Sequence, residues 1–402
     1  MHWDVISLIL FVLVLSLLLY LNRRRLQLQK VLFPVLYILL FRSKVGLKWM
    51  DRTAKRFGGL LRLVGYCFVG FAFFGAIFIG LNIIINMWHF FRAPATTDSG
   101  MTLVLPLTTV PGLGYLGFWH WIISIFILAV VHEFGHGLLM RAHGVKVKSS
   151  GFGFVGILAP IIPLAFVEQD QKDLEKKEGI KQHSIFAAGP MVNITLAVLL
   201  IILFPFTNPF NAGALAPFEG KLTEPVGFSL DLANSTTPAA QAGLQNHSLI
   251  WYYNGDRAYN ATDFLQTAFY CTGPGETLTL GTEEKNFTIT TTTHPNDPAK
   301  GYIGVNNVKN ERRFKAEYKA WEGPYKWLKD LLRFITILNF LIGMANFIPV
   351  FITDGAQMFR VALVENMKNK KLALKIWVAV NVLFVVLIVG GLLGKALVPL
   401  LT

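Results

Sequence analysis

The sequence predicts an α-helical polytopic membrane protein of about six transmembrane helices, with a re-entrant glycine-rich β-like segment and a small β-rich soluble domain inserted late. Three observations predict it. Apolar runs recur along the chain at about twenty residues, the length a bilayer core demands. Hydrophobic residues make up 53% of the 402, charged residues only 15%, and mean hydropathy is +0.49, a balance foreign to soluble enzymes. Finally, a polar, Thr- and Asn-rich stretch over about residues 207–325 breaks the pattern and is long enough to fold by itself.

Taken in order, the apolar run 5–21 is long for a signal peptide. The basic cluster Arg23-Arg24-Arg25 follows it rather than preceding it, and no small-residue cleavage site is evident, so it reads as a retained anchor. The run 31–41 is too short to span and contains Pro34; it reads as an interfacial or re-entrant piece. Further spans are expected at 61–90, 118–140, 184–206, 327–350 and 373–400. Lys and Arg crowd residues 23–25, 42–62, 141–183 and 360–375, whereas the loop 92–117 has one Arg and one Asp. The positive-inside rule then places the amino terminus and residues 207–325 outside, and the basic loops in the cytoplasm. The same distribution accounts for a formal net charge of +13 without nucleic acid. Four regions follow: 1–114 with two spans and the short piece, 115–206 with the next two, 207–325 outside, and 326–402 with the last two.

Chemistry concentrates in the third span. His132-Glu133-Phe134-Gly135-His136 sits within FWHWIISIFILAVV and GLLM. On a helix, positions i and i+4 share a face, so His132 and His136 present two imidazoles to one metal with Glu133 beside them. Burying those groups in hydrocarbon costs several kcal/mol unless metal or partner groups compensate. The two cysteines, Cys67 and Cys271, form neither a disulfide framework nor a thiolate site, so a metal here is held by nitrogen and oxygen.

A catalytic zinc site takes three protein ligands and leaves a position open. His143 lies seven residues past His136, but Leu139 and Ala142 stand where the HExxHxxGxxH pattern wants Gly and His. It reads as a solvated or interfacial histidine, His120 lies too far along the axis, and His183 reads as a solvated helix-end residue. Asp354 is the fourth candidate. The fifth span carries Asn346, breaks at Pro349 and delivers Asp354-Gly355 at the depth of His132 and His136. The competing reading is an aspartate that caps the next helix.

HEFGH in one span, Gly189-Pro190-Met191-Val192-Asn193 in the next and Asn346-x-x-Pro349-x-x-x-x-Asp354-Gly355 later, in that order, resemble the site-2 protease family of intramembrane zinc metalloproteases. GFGFVGILAPIIPLAFVE after the metal helix resembles that family's glycine-rich re-entrant segment. The resemblance covers about 115–206 and 327–372. It implies zinc on His132, His136 and Asp354, with Glu133 as the catalytic carboxylate. It also implies that Asn193 and Asn346 line the site, and Gly153 and Pro349 belong with them among the residues expected to contact substrate. Asn193 is equally readable as a helix–helix hydrogen-bonding residue. The first two spans and the piece 31–41 lie outside the shared core and carry no assigned role.

The inserted domain resembles a PDZ module. Thr237-Pro238-Ala239-Ala240-Gln241-Ala242-Gly243-Leu244, then Leu249-Ile250, Asn254-Gly255 and Thr272-Gly273-Pro274-Gly275-Glu276 carry the resemblance. Asn246-His247 departs from the usual Gly-Asp, and Gly227-Phe228-Ser229-Leu230 matches a carboxylate loop only loosely. Strands are expected in GFSLDLA, SLIWYYNG, ETLTLG, NFTITTTT and YIGVNNV, with one helix near 261–270. Such modules bind extended peptides at a sheet edge; a steric filter against bulky outer domains is the alternative. Four N-x-Ser/Thr sequons, at Asn234, Asn246, Asn260 and Asn286, agree with an outside location.

The function expected is hydrolysis of peptide bonds within membrane segments of tethered proteins, in the plasma membrane and after a first outside cut, near the cytoplasmic face. Gly151, Gly153 and Gly156 with Pro160 and Pro163 argue for non-helical backbone at membrane depth, a strand edge for an unwinding substrate. The expected partners are membrane-spanning protein substrates and lipid. The rival classes are a metal-binding membrane transporter, which does not need the Glu133 carboxylate, and an inactive scaffold, against which stands the presence of all four site residues.

Overall fold

The computed structural model describes all residues except 1, 33–35, 94–99, 111–113, 158, 208–212, 268–271, 296 and 402. Pro34 and Cys271 therefore lie outside the described residues. The chain divides into two compact units, Met1–Gly213 with Leu328–Thr402, and Ala214–Trp327.

The first unit opens with α1 (His2–Leu21), followed by strands β1 (Leu26–Leu32) and β2 (Leu36–Ser43) and the 46-residue helix α2 (Leu47–Arg92). A short hairpin of β3 (Thr108–Val110) and β4 (Gly114–Leu116) leads into α3 (Phe118–Ala142). Next come β5 (Val147–Ile157), β6 (Ala159–Gln169), the short α4 (Gln171–Glu175) and α5 (Gly179–Leu203). Helix α2 loses helical geometry at Phe57, next to Gly58-Gly59, residues that give helix little support.

Within 31–41 the described residues are strand, the end of β1 and most of β2, and they join the glycine-rich pair in one antiparallel sheet of order β1-β2-β5-β6. The glycines explain the joint. A Cβ on Gly151 would stand 2.2 Å from the Phe41 carbonyl oxygen, and one on Gly153 2.3 Å from that of Leu39. Only a residue without a side chain lets β2 approach so closely. Gly153 consequently pairs with Leu40 on one side and Leu164 on the other, so the glycine strand has no open edge. The open edge belongs to β6, the part of the expected segment that carries Pro160 and Pro163.

Small residues also set the helix packing, as expected where lipid offers no hydrophobic drive between helices. Gly135 of α3 faces the Ala188 carbonyl oxygen of α5, where a Cβ would stand at 2.9 Å. Ala187, Ala188 and Ala197 are fully buried along α5.

The second unit runs through α6 (Ala216–Leu222), β7 (Thr223–Leu232), α7 (Pro238–Gln241), β8 (Ser248–Ile250), β9 (Tyr252–Tyr253) and β10 (Asp256–Arg257). It continues with α8 (Thr262–Gln266), β11 (Thr277–Gly281), β12 (Asn286–Thr290), β13 (Thr292–His294), β14 (Asp297–Tyr302) and β15 (Val305–Phe314). Two sheets, β15-β7-β8 and β10-β9-β11-β12, close over Phe228, Ile250, Phe264, Leu280 and Ile289. The Phe228 and Phe264 rings stack at 4.9 Å. Gly227–Leu230 is mid-strand, held between β8 and β15, so it forms no loop able to catch a carboxylate.

The chain re-enters the first unit through α9 (Glu322–Ala345), then α10 (Asp354–Asn366) and α11 (Lys370–Leu401). Among the described residues, five helices are long and apolar enough to cross a membrane: those covering Trp3–Leu21, Leu47–Arg92, Phe118–Ala142, Gly179–Leu203 and Lys370–Gly394. Helix α9 is not among them, although a span was expected over 327–350. Lys326, Lys329, Asp330 and Arg333 occupy its first half, and the helix ends before Pro349. The chain thus has the make-up of an integral membrane protein.

Candidate metal centre

Helix α3 places His132 and His136 one turn apart on the face that meets α5, and the break between α9 and α10 brings Asp354 to them. Asp354 Oδ2 lies 3.1 Å from His132 Nε2, and Oδ1 lies 3.2 Å from His136 Nε2. The three residues offer ligand atoms within 4.8 Å of one another, a group able to hold a metal ion. The cap reading of Asp354 fails on geometry. Thr353 caps α10, its hydroxyl accepting from Ala356 N at 3.3 Å, which leaves the aspartate carboxylate to the histidines.

Orientation of the rings tests whether the donors suit a cation. His136 Nδ1 lies 2.7 Å from the Ile185 carbonyl oxygen. A carbonyl only accepts, so Nδ1 carries a proton, and the ring when neutral turns a bare Nε2 lone pair inward. That lone pair meets His132 Nε2 at 3.1 Å and an aspartate oxygen. Electron-rich atoms at such separations repel one another unless a proton or cation sits among them. On the far side of His132, Nδ1 lies 3.3 Å from Asn193 Nδ2, while Asn193 Oδ1 is buried without a partner. Amide orientation is an assignment. Turning this amide over puts Oδ1 on His132 Nδ1–H, satisfies the orphan and frees the second Nε2 for metal. The donor set fits a nitrogen- and oxygen-bound zinc.

Glu133 sits beside this group with its Oε2 accepting the main-chain N–H of Val167, in β6, at 2.9 Å. Gly189 lies directly under the imidazoles: an added Cβ would stand 2.4 Å from His136 Nε2 and 2.7 Å from His132 Nε2. Pro190 removes the N–H that would bond Phe186's carbonyl, loosening the turn beside Ile185. Side-chain reasoning misses Val167 and Ile185, because they act through backbone. Gly189 was legible only as a motif letter, and the Gly-Pro pair inside an apolar helix was its available signal.

The remaining expected residues divide. Asn193 touches His132. Asn346 binds its own helix, Nδ2 donating to Ile342 O at 2.9 Å, and its main-chain oxygen accepts from Gly355 N at 2.8 Å, holding the segment beside Asp354. Pro349 lines an apolar cavity of about 510 Å³ between α2, α10 and α11. Gly153 is enclosed in the sheet. His143 and His183 are not solvated. His143 is buried with Nε2 3.0 Å from Ser184 Oγ, and His183 is buried with its ring 5.2 Å from that of Phe73; helix packing, invisible in one-dimensional hydropathy, covers both.

Comparison with known proteins accords with this geometry. Residues 120–390 match the family model described as peptidase family M50. An uncharacterized protein of Methanocaldococcus jannaschii is 24% identical over 341 residues, 83% of this chain and 79% of its own. A Neisseria meningitidis protein named as a candidate zinc metalloprotease is 33% identical over 158 residues, 33% of this chain and 32% of its own. A zinc metalloprotease of Methanocaldococcus jannaschii is 29% identical over 130 residues, 31% of this chain and 34% of its own. The aligned stretches thus span about a third of those two metalloproteases. With the family model matching well over half the chain around a His-His-Asp group, the protein belongs to peptidase family M50, the site-2 proteases, and is a zinc metalloprotease.

Proposed function

We propose that this metalloprotease is an intramembrane endopeptidase that hydrolyses peptide bonds within membrane-spanning segments of tethered proteins already cut on the outer side. The observation that carries the reading is the placement of the site. His132, Glu133 and His136 lie in α3, a helix long and apolar enough to cross a bilayer, and Asp354 closes the group from another part of the chain.

In this reading His132, His136 and Asp354 hold zinc, which when bound supplies Lewis acidity to the reaction. Glu133 takes a proton from the attacking water on the carboxylate oxygen that Val167 does not engage, and delivers it to the leaving amine. Asn193 and the Ile185 carbonyl keep both imidazoles in the tautomer with Nε2 free. A substrate helix must unwind before attack, since its peptide groups are internally bonded and shielded. The outer edge of β6 is suited to receive the unwound stretch. Val167 N–H points from that edge to Glu133, so a strand added there runs past the catalytic carboxylate.

Charge distribution supports a cytoplasmic position for this end of α3 in the plasma membrane and an outside position for Ala214–Trp327. That unit is PDZ-like in sequence and acts by binding extended peptide at a sheet edge or by excluding bulky outer domains. A detergent assay with a membrane-spanning test substrate decides the function. Cleavage by the native chain, its loss in Glu133→Gln and full zinc content in that variant support proteolysis; cleavage surviving in Glu133→Gln sinks it.

A further inference from the structure

The sequence holds five N-x-Ser/Thr sequons: Asn193, Asn234, Asn246, Asn260 and Asn286. Asn193 is fully buried in α5 against His132, closed to any modifying enzyme. The other four all fall in the Ala214–Trp327 unit, and all four are exposed. Nine asparagines, with seventeen serines and threonines, occur in residues 214–327. At that density about one or two sequons arise by chance, so four is an excess.

Their local geometry suits modification. Asn234 Oδ1 accepts from Thr236 N at 2.9 Å and from Thr236 Oγ1 at 2.8 Å. Asn260 Oδ1 accepts from Thr262 N at 2.8 Å, and Asn246 Oδ1 from Leu232 N at 2.8 Å. In each, the oxygen is tied to the protein and Nδ2 is the end left to react. Donation to Oδ1 draws electron density toward oxygen and makes the Nδ2 protons more acidic; at Asn234 and Asn260 the donor is the threonine two residues on, and at Asn246 it is Leu232 N. Asn234, Asn246 and Asn260 lie in connections between elements, and Asn286 is the first residue of β12, places where an added chain displaces no core residue.

We propose that Asn234, Asn246, Asn260 and Asn286 are N-glycosylation sites that make the Ala214–Trp327 unit a glycan-bearing outer module. The donor is a lipid-linked oligosaccharide phosphate, used by a membrane oligosaccharyltransferase. The Nδ2–C1 bond forms, the C1–O bond to phosphate breaks, the lipid phosphate leaves with the electron pair, and the Nδ2 proton passes to the transferase's base. The inference rests on the outside placement of this unit. Bulky polar chains on it would raise the steric barrier against substrates that retain large outer domains.

The test is mass spectrometry of the full chain purified from its own membranes, run beside labelling of intact cells with a membrane-impermeant amine reagent. Sugar-bearing mass on the peptides of these four asparagines, lost one glycan at a time in Asn→Gln variants, is the expected result. Unmodified asparagine at all four, with Lys285 and Lys300 labelled from outside, overturns glycosylation and spares the placement. Labelling of those lysines only after permeabilisation overturns both.

Discussion

Glu133 is fastened to strand β6, its Oε2 accepting Val167 N–H at 2.9 Å. The metal helix and the glycine-rich sheet therefore meet at the residue proposed to move the proton. Holding one oxygen by a main-chain donor fixes the carboxylate while its other oxygen stays available.

Glu133→Gln keeps size and hydrogen-bonding reach but abolishes the base. Turnover should fall by about 10²- to 10⁴-fold or more, with zinc content unchanged. Single-turnover cleavage and zinc analysis on the same preparation check it.

Asp354→Asn removes the third donor and the charge that faces both imidazoles. Zinc affinity should fall by at least about 100-fold, beyond the effect of losing an outer hydrogen-bond partner. Competition against a graded series of chelators measures it. Unaltered affinity would remove Asp354 from the site.

Asn193→Ala deletes the partner of His132 Nδ1 and leaves the ring free to turn. A loss of about 10- to 100-fold in zinc affinity is expected. Asn193→Asp, which still accepts from Nδ1–H, should recover part of it, an outcome that a purely packing role does not give.

Gly189→Ala introduces a methyl group at 2.4 Å from His136 Nε2. Both imidazoles must shift, so zinc content should drop together with activity, and stability should fall by about 1–3 kcal/mol from overpacking. Thermal unfolding in detergent and zinc analysis report the two effects separately.

Gly153→Ala puts a Cβ 2.3 Å from the Leu39 carbonyl oxygen and prises β2 from β5. Melting temperature should fall, while zinc stays bound because the substitution leaves the three ligands in place. A variant as stable as the native chain would contradict the close approach of these strands.

Legibility in the sequence followed the kind of group involved. The spacing of His132 and His136 and the acid after the Pro349 break were readable, because side-chain donors on a regular helix leave a periodic trace. Main-chain partners leave none, so the roles of Val167, Ile185 and Gly189 needed coordinates. Strand β2 was opaque for another reason: one of its partners lies more than a hundred residues on, in β5, and long-range pairing is not encoded in local pattern. Charges in the first half of α9 keep it below the apolar content of the other long helices, and hydropathy left His143 and His183 solvated although packed helices bury them.

Mapping the product termini of a membrane-spanning substrate by mass spectrometry tests proteolysis within the membrane most directly. The expected result is new termini inside the substrate's apolar segment, made by the native chain and absent with Glu133→Gln. Termini confined to the substrate's polar flanks, or the same products from Glu133→Gln, would contradict it.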